Sequence, residues 1–141
     1  MPKKLLNSSD NELKKAINLM VEKLPISFII LFGSRARGDY LPYSDYDLLI
    51  IGSFKEQFME RLKKIMELLI GIKIHIEPHP YTLKEAINML KRGHPTIYHA
   101  LDEGIIIFER NAKERKKLFE LFNNLKRKGM KRTDITIIVP R

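Results

Sequence analysis

Hydrophobic positions recur at helical spacing in three long stretches. Leu13, Ile17, Met20, Val21 and Leu24 share one face of a helix predicted over residues 10–24, which Pro25 stops. Phe58, Leu62, Ile65, Met66 and Leu69 stripe a second, ending near residue 70 before Gly71. Leu118, Phe122 and Leu125 stripe a third over 111–128. Ser9 with Glu12, Ser53 with Glu56, and Thr82 with Glu85 each match a capping box, in which hydroxyl and carboxylate satisfy helix-end N–H groups reciprocally. The last opens a helix over 83–92, closed by Gly93, and Pro95 with Gly104 brackets a shorter one. Between helices lie apolar, β-branched runs at 26–32, 46–51, 72–76 and 105–108, which fit strands buried on both faces. Residues 135–139 read as a fifth strand, or as a tail that orders against a partner. The strands at 26–32 and 46–51 are joined without room for a crossover helix, after which strands and helices alternate. The pattern predicts an α+β fold with a mixed sheet of four to five strands. One domain is expected over 1–141, with its core at about 10–128 and a basic tail at 129–141.

Composition narrows the class. The chain is 44% hydrophobic and 30% charged, which excludes a disordered chain, and no apolar run is long enough to span a bilayer. The apolar stretch near the N-terminus is too short for a secretory signal. The absence of Cys excludes disulfides, thiolate metal sites and cysteine nucleophiles. A soluble cytoplasmic protein is expected. Net charge is +9, but residues 110–132 hold ten Lys or Arg against two acids, so the basicity belongs to the C-terminal segment.

Candidate chemistry concentrates between Gly33 and Asp47. After the strand ending at Phe32, Gly33 lets backbone N–H groups approach a ligand. Ser34 adds a hydroxyl, and Arg35 and Arg37 add guanidinium forks suited to phosphate oxygens. A short helix starting here would aim further N–H groups at the same anion. Asp45 and Asp47 lie two apart and project from one strand face, where their like charges call for a cation between them. Mg²⁺ suits such a pair, because it binds one or two carboxylates together with substrate phosphates. A phosphate cradle followed by a metal-binding pair points to phosphoryl or nucleotidyl transfer.

Gly33-Ser34, a ten-residue gap and Asp45-Tyr46-Asp47-Leu48 resemble the signature of the polymerase beta-like nucleotidyltransferase superfamily. With Gly38 and Ser44 included, the string most resembles the minimal nucleotidyltransferases (MNT), small proteins often paired with a HEPN-domain partner. The resemblance implies a nucleotidyltransferase fold, with Gly33, Ser34, Arg35, Arg37 and Ser44 at the nucleotide. It also implies Asp45 and Asp47 as ligands for Mg²⁺, two ions in all, with ATP or another NTP as donor. A third carboxylate is required on a later strand, and Glu77 is the candidate, with Glu where Asp is commoner. The implied reaction is two-metal in-line transfer of AMP to an acceptor hydroxyl, with Glu77 also placed to receive the proton. By the same resemblance the acceptor is a HEPN-type toxin and this chain its antitoxin.

Other readings remain at this level. The acceptor could instead be a small molecule, as in antibiotic nucleotidylation, with the pocket completed by a homo-oligomer. A non-catalytic nucleotide- or RNA-binding module is a further alternative, the RNA meeting the basic C-terminal segment. His75, Glu77 and His79 suggest a zinc site, against which stand the missing thiolates and Pro78, expected to break strand alternation and leave His79 in a turn.

Overall fold

The computed structural model describes residues 8–133 and 136–140. Its first half runs α1 (Ser8–Lys23), β1 (Ile26–Phe32), α2 (Ser34–Arg37), β2 (Tyr46–Gly52), α3 (Phe58–Leu68) and β3 (Ile76–Tyr81). The second half runs α4 (Leu83–Lys91), α5 (Pro95–Glu103), β4 (Ile105–Glu109), α6 (Ala112–Arg127), β5 (Lys131–Arg132) and β6 (Ile137–Ile138). The main sheet has four strands in the order β3-β2-β1-β4. Strand β1 is antiparallel to both β2 and β4, and β2 is parallel to β3, so the sheet is mixed and the fold α+β, as expected.

Strand β1 is buried along its whole length, because both faces of the sheet are covered. Ile29, Leu31, Leu48 and Ile50 pack on one face against Leu13, Ile17 and Met20 of α1 and Ile65 of α3. Phe28, Ile30, Leu49 and Ile51 pack on the other against Leu90, Ile97, Leu118 and Phe122 of α4, α5 and α6. Truncating a residue such as Phe28, which is wholly buried, costs about 3–5 kcal/mol.

Local signals hold where tertiary contacts agree with them. The Thr82–Glu85 capping box forms in full: the Thr82 side chain accepts from Glu85 N and the Glu85 carboxylate accepts from Thr82 N. At α5, Pro95 occupies the first turn and the His94 ring accepts from Thr96 N. Burial holds the His94 pKa below its usual value, helped by the nearby charges of Arg92 and His79, and the neutral ring is the form that can accept.

Five expectations are corrected. Helix α1 is already formed at Ser8, the first described residue, so Ser9 lies within the helix rather than at its cap, and the Glu12 carboxylate accepts from Lys73 N at 2.8 Å. The helix expected from Ser53 begins only at Phe58, with Gln57 at its cap. There β2 continues to Gly52, Ser53 N donates to Pro25 O at 2.9 Å, and Glu56 pairs with Lys64, so residues 53–57 form a connection.

The strand expected at 72–76 instead starts at Ile76, where parallel pairing with Tyr46 begins; Ile72 and Ile74 pack against the core without joining the sheet. Strand alternation also runs straight through Pro78 and Pro80, whose rings point inward. Prolines are tolerated because β3 is an edge strand, with no neighbour waiting for their missing N–H groups. Finally, β6 pairs with β5 in a separate two-stranded ribbon rather than extending the main sheet, while Ile135 lies outside the described residues.

The far end of β3 is fixed by Arg61 of α3, which is buried. Its guanidinium donates to Glu56 O (2.8 Å), to Pro80 O (3.2 Å) and to both Glu85 oxygens (2.7 and 3.2 Å).

Candidate active site

The start of β3 lies beside the start of β2 and the end of β1. In that register Asp47 stands between Phe32 of β1 and Glu77 of β3. The chain leaves β1 through Gly33, whose φ of 76° lies in the left-handed region. A Cβ built on Gly33 would sit 2.4 Å from Asp47 Oδ2. Backbone conformation and close approach therefore both demand glycine, and any side chain would push the Asp47 carboxylate out of place.

Asp47, Glu77 and His79 each offer one donor atom, and these atoms lie within 4.8 Å of one another. Glu77 and His79 are two apart on β3 and project from the same face. His79 Nε2 lies 3.8 Å from Asp47 Oδ1, beyond hydrogen-bond distance. That nitrogen is buried and has no hydrogen-bond partner, while the ring packs against Phe32 with centroids 5.3 Å apart. An unsatisfied buried polar atom costs about 1–3 kcal/mol, so it calls for a ligand. Two carboxylates and an imidazole nitrogen form a donor set for a divalent cation, and a cation among them would satisfy the nitrogen and neutralise the acidic pair.

Asp45 precedes β2 and is paired differently. Its Oδ1 lies 2.6 Å from His75 Nδ1, a spacing at which the ring N–H donates to the carboxylate. His75 precedes Ile76 as Asp45 precedes Tyr46, so this pair continues the register of Asp47 beside Glu77. Asp45 is a neighbour of the Asp47–Glu77–His79 cluster rather than one of its three members.

The residues expected at the phosphate divide into two groups. Gly33 caps α2 and stands beside Asp47, and half-buried Ser34 opens the helix. Arg35 is folded back over the connection to β2. It donates to Pro42 O (3.0 Å) and Ser44 O (3.2 Å) and lies between the rings of Tyr40 (4.1 Å) and Tyr46 (4.3 Å). Arg37 pairs with Asp39 (3.1 Å) and with Glu103 of α5 (2.8 Å), contacts that raise its pKa further. Ser44 Oγ accepts from Leu41 N at 2.9 Å. Arg35, Arg37 and Ser44 thus brace residues 38–45, and the structure brings Gly33, Asp47 and Glu77 together.

His79 is the member of this cluster that the expected nucleotidyltransferase site omits. Its signal in the sequence is an alternating Glu-x-His on an apolar strand, and the proline between the two residues masks it by arguing against a strand.

Comparisons with known proteins point in the same direction. A sequence model of the nucleotidyltransferase domain matches residues 13–135. A curated relative named "Putative protein adenylyltransferase" in Methanocaldococcus jannaschii is 36% identical over 70 residues, covering 48% of this chain and 70% of that protein. A chain of a solved toxin–antitoxin complex with AMP-PNP superposes with a TM-score of 0.56 at 13% identity, covering 86% of this chain and 89% of that one. A chain of the tri-AMPylated Shewanella oneidensis HEPN toxin in complex with MNT antitoxin gives 0.55 at 11% identity, covering 84% and 87%. At such identities the structural likeness is one of fold.

Proposed function

The chain belongs to the nucleotidyltransferase domain family, and from that premise we propose that it transfers AMP from ATP to a hydroxyl of a partner protein. The partner in this reading is a HEPN-type toxin, which modification would silence, making this chain the antitoxin. The name of the Methanocaldococcus jannaschii relative and the complexes whose chains share this fold support the choice of AMP and of a protein acceptor. The observation that carries the proposal is the close approach of the Gly33 backbone to the Asp47 carboxylate, which leaves no room for a side chain, because it ties the phosphate-side turn to the acidic side of the site.

In this mechanism the opening of α2 receives the triphosphate: Gly33 allows close approach and the Ser34 hydroxyl hydrogen-bonds a phosphate oxygen. Asp47 and Glu77, with Asp45 alongside, would hold the divalent cation, for which the family resemblance implies Mg²⁺ and two ions. When bound, such cations neutralise the triphosphate and lower the pKa of the attacking hydroxyl. The acceptor oxygen forms a bond to the α-phosphorus, the bond from that phosphorus to the bridging oxygen breaks, and pyrophosphate leaves. The acceptor proton passes to Glu77, which is exposed toward solvent. His75 keeps Asp45 oriented, and Arg35 keeps residues 40–44 folded beside the site.

Calorimetry of ATP with Mg²⁺ tests the first half of the proposal. Binding by the wild type and its loss in the Asp45→Asn/Asp47→Asn double variant are expected. Incubation with labelled ATP and a HEPN-domain protein from the same genome tests the second half, with label on that protein expected only from the wild type. Label transferred equally well by the double variant would overturn the assignment.

A further inference from the structure

We propose that His79 is a nitrogen ligand of the cation site, so that the site takes a first-row transition ion in preference to Mg²⁺. The inference rests on the nucleotidyltransferase reading and goes beyond it, since that reading needs carboxylates alone.

Three observations carry it. His79 Nε2 is buried, without a hydrogen-bond partner, and 3.8 Å from Asp47 Oδ1. Its donor atom belongs to the same cluster as those of Asp47 and Glu77. Finally, the ring is held: it packs on Phe32 at 5.3 Å and sits on a strand whose register with β2 is continuous from Ile76 to Tyr81. The two neighbouring polar residues do not compete for the nitrogen, because Asp45 is engaged by His75 and Glu77 is itself a donor in the cluster.

Donor chemistry then sets the preference. Mg²⁺ is a hard ion that favours oxygen and parts reluctantly with its water, so an imidazole nitrogen adds little to its binding. First-row transition ions bind imidazole well, and their affinity for mixed nitrogen and oxygen sites rises from Mn²⁺ toward Cu²⁺. Mn²⁺ is the weakest binder of that series, so a preference for Mn²⁺ over Mg²⁺ is the demanding form of the test.

The experiment uses the full chain with Mn²⁺ and ATP, read by electron spin-echo envelope modulation. Histidine nitrogen coupled to the bound ion should give modulation whose frequencies shift when the protein carries ¹⁵N-histidine, which separates it from adenine nitrogen. His79→Gln, which keeps the side chain's bulk, should abolish that shift, whereas His75→Gln should leave it. Competition should show Mg²⁺ displacing Mn²⁺ from the wild type about tenfold less readily than from His79→Gln. Bound Mn²⁺ with no histidine modulation, or the same competition in both proteins, overturns the proposal. If His79→Gln fails to fold, the isotope shift in wild type and in His75→Gln decides alone. ATP binding that still requires a divalent ion and Asp47, but shows no histidine nitrogen, would sink this inference and leave the nucleotidyltransferase reading standing. Loss of both ATP and metal binding in the wild type would remove both.

Discussion

Strand β3 carries a polar cluster at each end, and the two are finished differently. At its C-terminal end the Arg61 guanidinium has partners on Glu56, Pro80 and Glu85, and Glu85 also accepts from Thr82 N. At its N-terminal end Asp47, Glu77 and His79 converge with a buried ring nitrogen left without a partner. The first arrangement is complete as it stands and locks α3, β3 and α4 together. The second is complete only with something added. Charged groups at strand ends are common to both, so the difference lies in whether the protein itself supplies the counter-charge.

Substitutions at the two ends should therefore separate activity from stability. The largest effect is expected from Asp47→Asn: AMP transfer falls by about a thousandfold or more, roughly 4 kcal/mol of lost transition-state stabilisation. The melting temperature should hold or rise, because a repulsion with Glu77 is relieved, and thermal unfolding beside the transfer assay checks both. A drop of many degrees would mean that Asp47 is structural and the contrast false. Arg61→Leu should do the reverse. It removes the Arg61 donor from the Pro80 and Glu56 carbonyls and from the Glu85 carboxylate, which keeps only Thr82 N, at a cost of about 2 kcal/mol after allowing for the partial exposure of Glu85. Denaturant unfolding should show that loss, with ATP binding within about twofold of wild type.

Gly33→Ala sits between these cases. The left-handed φ and the clash with the Asp47 carboxylate should lower stability by about 1–2 kcal/mol and transfer by at least tenfold or so, measured by the same two assays. The smallest effect is a pH dependence. Burial pushes the Glu85 pKa up, but hydrogen bonds from Arg61 and Thr82 outweigh it, and the net direction is down. A lowered carboxylate stabilises the fold above its unfolded pKa of about 4.3, and that contribution fades as pH falls through the lower folded value. The stability gap between wild type and Glu85→Gln should shrink as pH is lowered from about 5.5 toward 3, and a gap that widens would contradict the assignment.

Much of the fold could be read from local pattern because local and tertiary preferences coincide there. Strands β1 and β4, the Thr82–Glu85 cap and the Pro95 and Gly104 boundaries are such places. At the two other predicted caps, a partner elsewhere in the fold holds a group that the local motif wanted. Lys64 takes Glu56, Pro25 takes the N–H of Ser53, and Lys73 takes Glu12. At the site, Gly33 and Asp47 could be singled out from residue type and spacing, and Glu77 from the family resemblance, which asks for a third carboxylate. The bracing role of Arg35 could not, because it depends on the rings of Tyr40 and Tyr46 folding around it. His79 was hidden by an edge strand that accommodates proline.

Those prolines also act on the unfolded chain. Glu77 and His79 are the residues immediately preceding Pro78 and Pro80, and a residue in that place is sterically turned away from helical backbone angles toward extended ones. Each proline also fixes its own φ close to the value it can keep in an edge strand. In the denatured ensemble the Glu-Pro-His-Pro segment is thus already biased to the shape that sets both donor groups on one side. Little chain freedom remains to be lost when β3 docks on β2, and thermal agitation of the folded protein has few alternative backbone states through which to scatter the pair.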